Sequence, residues 1–176
     1  NSLTHIAVGS VKPKPDGTLD ARFDKTNDDG TAMAKRIVKD AHRNNRKALL
    51  WVGGSDSNDV WKAAASDENR KTFARNLLDL MDNLGYDGLD LDWEPIDAED
   101  RDEVLALVKE LRKRDHDTLI TLPVMWVTSG KDRTSELAWY SDVSDYVDKI
   151  FIMTYSMTGT WSGWQSWFSS PLYGDA

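Results

Sequence analysis

Five short apolar runs, separated by longer amphipathic stretches, constrain the fold of this chain more than any other feature. The runs are LTHIAVGSV (Leu3 to Val11), KALLWVGG (Lys47 to Gly54), YDGLDLDWE (Tyr86 to Glu94), TLITLPVM (Thr118 to Met125) and KIFIMTYS (Lys149 to Ser156). They begin near positions 5, 48, 88, 119 and 150, so successive onsets are 43, 40, 31 and 31 residues apart. That spacing suits consecutive βα units joined by right-handed crossovers. Between the runs, apolar residues recur with helical period: Ala34, Ile37, Val38 and Ala41, then Phe73, Leu77, Leu80, Met81 and Leu84, then Val104, Leu107, Val108 and Leu111. Gly85 stands where the second helix needs a C-cap, and a weaker helix runs through Ser135 to Val143. The strands are apolar on both faces, as parallel strands covered by helices must be. Such an α/β alternation builds either an open doubly wound sheet or an eight-stranded barrel.

Composition removes several classes of function. At 176 residues, with no low-complexity linker, residues 1–176 read as a single domain. The net charge of −8 and the lack of a basic cluster argue against nucleic acid and anionic membranes as partners. No apolar run approaches the roughly 18 residues of a membrane span. Without cysteine there are no disulfides, thiolate metal sites or cysteine nucleophiles. The first strand is followed by Gly9, Ser10 and Val11 rather than a glycine-rich phosphate turn, and Gly53 and Gly54 lack the lysine of a phosphate loop. The chain opens at Asn1 with neither a charged leader nor a long apolar centre, so it is expected to begin partway through a gene product. Three of its eight tryptophans, Trp161, Trp164 and Trp167, crowd into one Gly/Ser-rich segment, which points to a surface for flat ligands.

The third run carries the chemistry. Alternate residues of a strand share a face, so Asp90, Asp92 and Glu94 turn one way while Leu89, Leu91 and Trp93 turn the other. The apolar face packs under helices, leaving the acids to look into the interior of a barrel or its mouth. Three carboxylates in such a row repel, so their titrations are coupled and one of them is expected to hold a proton near neutral pH. That is how a general acid is made. Glu94, last in the row, is nearest the loops, where barrel enzymes do their chemistry. A solvated edge strand would not carry leucines and a tryptophan between its acids. A calcium loop starting at Asp90 would need glycine at Pro95 and glutamate at Arg101. Magnesium on one or two of the carboxylates remains compatible with the residue types. His5 and His116 have no companions at metal-ligand spacing, and neither a metal site nor a cofactor is expected.

DGLDLDWE matches the D-x-x-D-x-D-x-E signature of the glycoside hydrolase family 18 chitinases, with Asp87, Asp90, Asp92 and Glu94 at its four acidic positions. The preceding VGG resembles the family's S-x-G-G strand, with Gly53 and Gly54 as its glycines and Trp51 where serine is usual. IMTYS resembles its M-x-Y-D segment, supplying Met153 and Tyr155, with Ser156 where aspartate is common. The resemblance implies a TIM (β/α)8 barrel of which strands 2 to 6 are present. It implies hydrolysis of β-1,4-linked N-acetylglucosamine in chitin or its oligosaccharides, with retention and with the substrate's own acetamide oxygen as nucleophile. Glu94 would then be the acid/base, Asp92 would orient the acetamido group, Asp90 would share a proton with Asp92, and Tyr155 would bond the acetamide carbonyl. Asp87 would be structural, at the strand entrance. Met153, Trp126, Trp161 and Trp164, with Tyr173 nearby, are candidates to contact sugar, the alternatives being core filling for the methionine and loop anchoring for the tryptophans.

The same acidic motif serves endo-β-N-acetylglucosaminidases acting on glycoprotein glycans, and the scaffold also carries sugar-binding lectins without turnover. The lectins typically lose the glutamate that stands here as Glu94. Because chitin is extracellular, the resemblance implies secretion. A complete barrel has eight strands and about 250 residues, so the resemblance places the first strand before Asn1 and the last two after Ala176. Either the chain is a segment of a longer hydrolase, or it covers its open edges by self-association.

Overall fold

The computed structural model describes residues 3–23, 25, 29–127, 133–157 and 168–170. Strands β1 (His5–Pro13), β3 (Lys47–Gly54), β4 (Gly88–Trp93), β5 (Leu119–Met125) and β6 (Lys149–Met153) lie side by side, all parallel. A two-residue strand, β2 (Leu19–Asp20), returns antiparallel to β1, giving the order β2-β1-β3-β4-β5-β6. The five parallel strands are those that the apolar runs predict. The sixth is the return arm of a hairpin too short for a periodic signal, turned at Gly17 with φ of 76°.

Helices α1 (Asp29–Arg43), α3 (Arg70–Leu84), α4 (Arg101–Arg114) and α5 (Arg133–Ser144) fall on the stretches whose periodicity predicts them. A fifth, α2 (Asn58–Ala65), is absent from that pattern. Its buried Trp61, Ala64 and Ala65 repeat at helical spacing over too few turns to stand out. Gly85 caps α3 with φ of 82°, and its N–H donates to the carbonyls of Met81 and Asp82. A side chain would be strained there.

One face of the sheet makes the core. Leu50, Val52, Leu89, Leu91, Ile120 and Leu122 are 2% exposed or less, among Phe73 and Leu77 of α3 and Leu107 and Leu111 of α4. Each such side chain contributes about 1.5–3 kcal/mol by leaving water. Trp61 stacks on Trp93 at 5.3 Å and 11°, while Phe73 meets Trp61 edge-on at 5.4 Å, so α2 is fastened to the top of β4. Among the described residues, β2 and β6 form the edges of the sheet. Ile6, Phe151 and Ile152 are 40–52% exposed near those edges.

Candidate active site

All six residues of β4 are buried, including two aspartates. The pleat turns Leu89, Leu91 and Trp93 towards the helices and Asp90 and Asp92, each 7% exposed, towards the other face. Glu94 follows directly, half-buried, just past the C-terminal end of the strand. In register, Asp90 lies opposite Trp51 on β3 and Thr121 on β5, and Asp92 lies opposite Gly53. Parallel partners in register share a face, so these neighbours surround the acids.

Each acid has a different environment. Asp90 accepts a hydrogen bond from the Thr121 hydroxyl. Burial pushes its carboxyl up to about 6; the threonine bond opposes this, and the Asp92 charge adds to it. Asp92 Oδ2 accepts from Trp51 Nε1 at 2.8 Å. Its Oδ1 is buried with no hydrogen-bond partner in good geometry among the described residues, and Glu94 is the neighbouring titratable group that interacts with it. Burial raises Asp92, while Trp51, Glu94 and the Lys12 cation pull it down. Glu94 is pushed up to about 7, by burial first, then by the Asp92 charge and their mutual hydrogen bonding, with Asp56 adding to the rise. The pair is therefore equipped to hold one proton between two carboxyls near neutral pH.

Glu94 borders a cleft of about 350 Å³ whose walls include Trp93, Trp126, Trp139, Tyr140 and Met153. Trp126 is half-buried and its Nε1 has no hydrogen-bond partner among the described residues. Tyr155 is 54% exposed, and its hydroxyl donates to Met153 Sδ at 3.1 Å, so the two side chains of the β6 end stand together. Burial, then the charges of Glu94 and Asp92, raise the Tyr155 phenol, which places it within electrostatic reach of both acids. Trp161 and Trp164, with Trp167 and Tyr173, lie outside the described residues.

The loop that carries Glu94 is pinned from the α2 side. Ser57 N–H donates to the Glu94 carbonyl at 3.0 Å. Asn58 Nδ2 donates to the Pro95 carbonyl at 2.8 Å and to Asp100 Oδ2 at 2.6 Å, and buried Asp100 pairs with Lys62 at 2.9 Å. Gly53 is required where it stands: a Cβ there would come 2.3 Å from the Asp92 carbonyl oxygen and 2.6 Å from Trp61 Nε1. Gly54 has φ of 110° beside the same aspartate.

Asp87 belongs to the opposite end of β4. It accepts from Lys47 Nζ at 2.7 Å and from Ala48 N–H at 2.8 Å, and pairs with His42 Nε2 at 2.7 Å. Burial pushes it up, but these partners outweigh burial and hold its carboxyl below the ordinary range.

The linear pattern does not single out Lys12, Thr121 or Asp56, and it marks Trp51 only as a departure from a motif. Their signal is register rather than spacing: once β3 and β5 are paired with β4, Trp51 and Thr121 fall opposite Asp90. Among the described residues, no group of three or more histidine or acidic side chains is arranged to hold a metal ion.

The family model for the glycosyl hydrolases family 18 matches residues 1–176. A chitinase-like mite allergen of Dermatophagoides farinae is 35% identical over 127 residues, covering 69% of this chain and 26% of the allergen. Chitinase 1 of Aphanocladium album is 27% identical over 192 residues, covering 93% of this chain and 44% of that protein. A solved structure of the Group IV chitinase of Ostrinia furnacalis in complex with allosamidin aligns with a TM-score of 0.73 and 29% identity, over 90% of this chain and 45% of that one. The chain thus spans 26–45% of the length of these relatives. The likeness in structure assigns the open sheet to the barrel class, as part of a (β/α)8 barrel.

Proposed function

The chain belongs to the glycosyl hydrolases family 18, and from that membership we propose that it hydrolyses β-1,4-linked N-acetylglucosamine in chitin or its oligosaccharides, with Glu94 as the acid/base. The observation that carries this reading is the Asp92–Glu94 pair, in which Glu94 is raised to about 7 at the C-terminal end of a buried parallel strand. A carboxyl so raised is protonated in mildly acidic solution and still acidic enough to give its proton away.

In the first step the acetamide oxygen of the bound sugar attacks its own anomeric carbon. The bond to the leaving oxygen breaks, and that oxygen takes the Glu94 proton. Asp92 holds the acetamido nitrogen in a near-attack position and faces the positive charge that develops there. Tyr155, held beside Met153, bonds the acetamide carbonyl. Water then adds to the anomeric carbon, returns a proton to Glu94 and restores the acetamide, so configuration is retained. Asp90 shares a proton with Asp92 from below. Met153, Trp126, Trp161 and Trp164 supply apolar surface for sugar rings. Secretion belongs to the same reading, since chitin is extracellular. So does closure of the exposed β2 and β6 edges by further chain or by a second copy.

The test is hydrolysis of an N-acetylglucosamine oligosaccharide by this chain beside its Glu94→Gln variant. Turnover is expected in the parent, with β-configured product and a rate that falls as pH rises through about 7. Equal turnover in both proteins would remove Glu94 as the acid. Cleavage of a glycoprotein glycan in place of the oligosaccharide would move the substrate to the glycan class, and saturable binding without turnover would make the chain a sugar-binding protein.

A further inference from the structure

Asp92 has two partners from strands on the β3 side of β4, one through a hydrogen bond and one through its charge. Trp51, on β3, donates its indole N–H to Asp92 Oδ2 at 2.8 Å. It reaches up the strand to do so: in register it faces Asp90, and the position facing Asp92 is Gly53, which has no side chain to stand between them. Lys12, on β1, donates its ammonium to the Gly53 carbonyl at 2.9 Å, and its charge favours the ionised form of Asp92. Gly54 leaves the space these groups share. An atom at its Cβ position would sit 3.6 Å from the Trp51 ring, 3.7 Å from Lys12 Nζ and 4.0 Å from Asp92 Oδ2.

We propose that Lys12 and Trp51 are positioning residues that fix Asp92 as the anionic member of the Asp92–Glu94 pair, so that the shared proton rests on Glu94. This goes beyond the hydrolase reading but rests on it for its importance to turnover. Of the neighbours on the remaining sides, Asp90 opposes this, because its charge and that of Asp92 repel, while Asp56 acts in the same sense and Tyr155 is neutral to it. Asp90, from the same strand, is turned to Thr121 of β5. Asp56, in the loop after β3, adds negative charge on the Glu94 side and favours its protonated form. Tyr155, after β6, lies within electrostatic reach of both acids as a neutral phenol near pH 7. Lys12 is the cation that acts on Asp92, and Trp51 is the donor that fixes one of its oxygens. Removing either leaves Asp92 a better home for the proton and Glu94 a worse one.

The experiment is a carbon-13 NMR titration of the Asp and Glu side-chain carboxyls in the parent, Lys12→Gln, Lys12→Arg and Trp51→Phe chains, assigned with Glu94→Gln and Asp92→Asn. In Lys12→Gln the upper titration step of the pair should move to higher pH by about half a unit to one unit, as expected for loss of a nearby cation. Lys12→Arg should restore it. In Trp51→Phe part of the chemical-shift change of that step should pass from Glu94 to Asp92. A merely structural role moves neither quantity in a chain that stays folded. An upper step unchanged in position and in its division between the two carboxyls in Lys12→Gln overturns the proposal, and the exposed lysine makes that variant safe to fold. The titration needs no turnover. Failure of the hydrolase reading therefore shows in the activity assay, and failure of the clamp shows here.

Discussion

Asp87 and Asp90 are three residues apart, yet they stand at opposite ends of a division that runs through the sheet. At the entrance of β4, Asp87 collects Lys47, His42 and the Ala48 N–H, and its carboxyl is held low. Asp148, before β6, is treated alike: burial is outweighed by the Ile120 N–H and Arg112, and its carboxyl is also low. Towards the strand's exit, Asp90, Asp92 and Glu94 are all raised, chiefly by burial. Acids at the bottom of the strands are therefore provided with donors and stabilise the fold as anions. Acids at the top lack enough donors, so their ionised forms destabilise it. The division matches the general separation in barrels between a stabilising N-terminal face and a reactive C-terminal face.

The largest expected effect separates the two ends by kind. Glu94→Gln should lower turnover of an N-acetylglucosamine oligosaccharide by about 10²–10⁴-fold or more while leaving the thermal midpoint unchanged or higher. A midpoint lowered by several degrees would mean that Glu94 also holds the fold, and the contrast would break. At the other end, Asp87→Ala should cost about 2 kcal/mol, because it strips partners from a backbone N–H and two side chains. For a chain of this size that is a drop in midpoint of about 4–8 °C by circular dichroism. The folded variant should keep its activity per folded molecule.

Asp90→Asn should do the opposite. Asp90 titrates at about 6 in the folded chain against 3.8 unfolded, so its proton-linked stability is present below the lower value and lost as pH rises through the upper one. Asparagine removes the charge and keeps an oxygen for Thr121, recovering about 1–2 kcal/mol at pH 8 of the roughly 3 kcal/mol that such a shift represents. Melts at pH 8 and pH 4 check the sign: the gain should vanish at the lower pH. An Asp90→Asn chain less stable than its parent at pH 8 would show that the charge at Asp90 is satisfied after all.

The smallest effect sharpens the comparison from below. Asp87 is lowered in the folded chain, so its contribution is present above its unfolded value and lost as pH falls through the folded one. The stability gap between the parent and Asp87→Ala should therefore narrow below about pH 4. A gap independent of pH would mean that Asp87 acts through packing rather than charge.

Much of this division is legible in the amino-acid sequence, because period-2 alternation decides which side chains share a face whatever the neighbours are. The pattern of Leu89, Leu91 and Trp93 against Asp90 and Asp92 is visible in a string of letters, and so are the boundaries of β3, which match Lys47 to Gly54 residue for residue. The two-residue β2 and the two-turn α2 are not legible. Neither is long enough for periodicity to rise above chance, and α2 is held by a contact distant in sequence, that of Trp61 with Trp93.

The sequence by itself determined the parallel α/β alternation, the acidic face of β4 and the glycines that flank it, since each follows from local stereochemistry and the burial of apolar faces. Tertiary structure alone decided which donor each acid received. Trp51 is 41 residues from Asp92 and Thr121 is 31 from Asp90, and the pairing register of β3 and β5 with β4 brings them together. The protonation of a buried carboxyl depends on such neighbours and on the water it has lost. A linear pattern can therefore name the acids, but it takes the folded sheet to say that Asp87 is an anion with partners and Glu94 a carboxyl poised near pH 7.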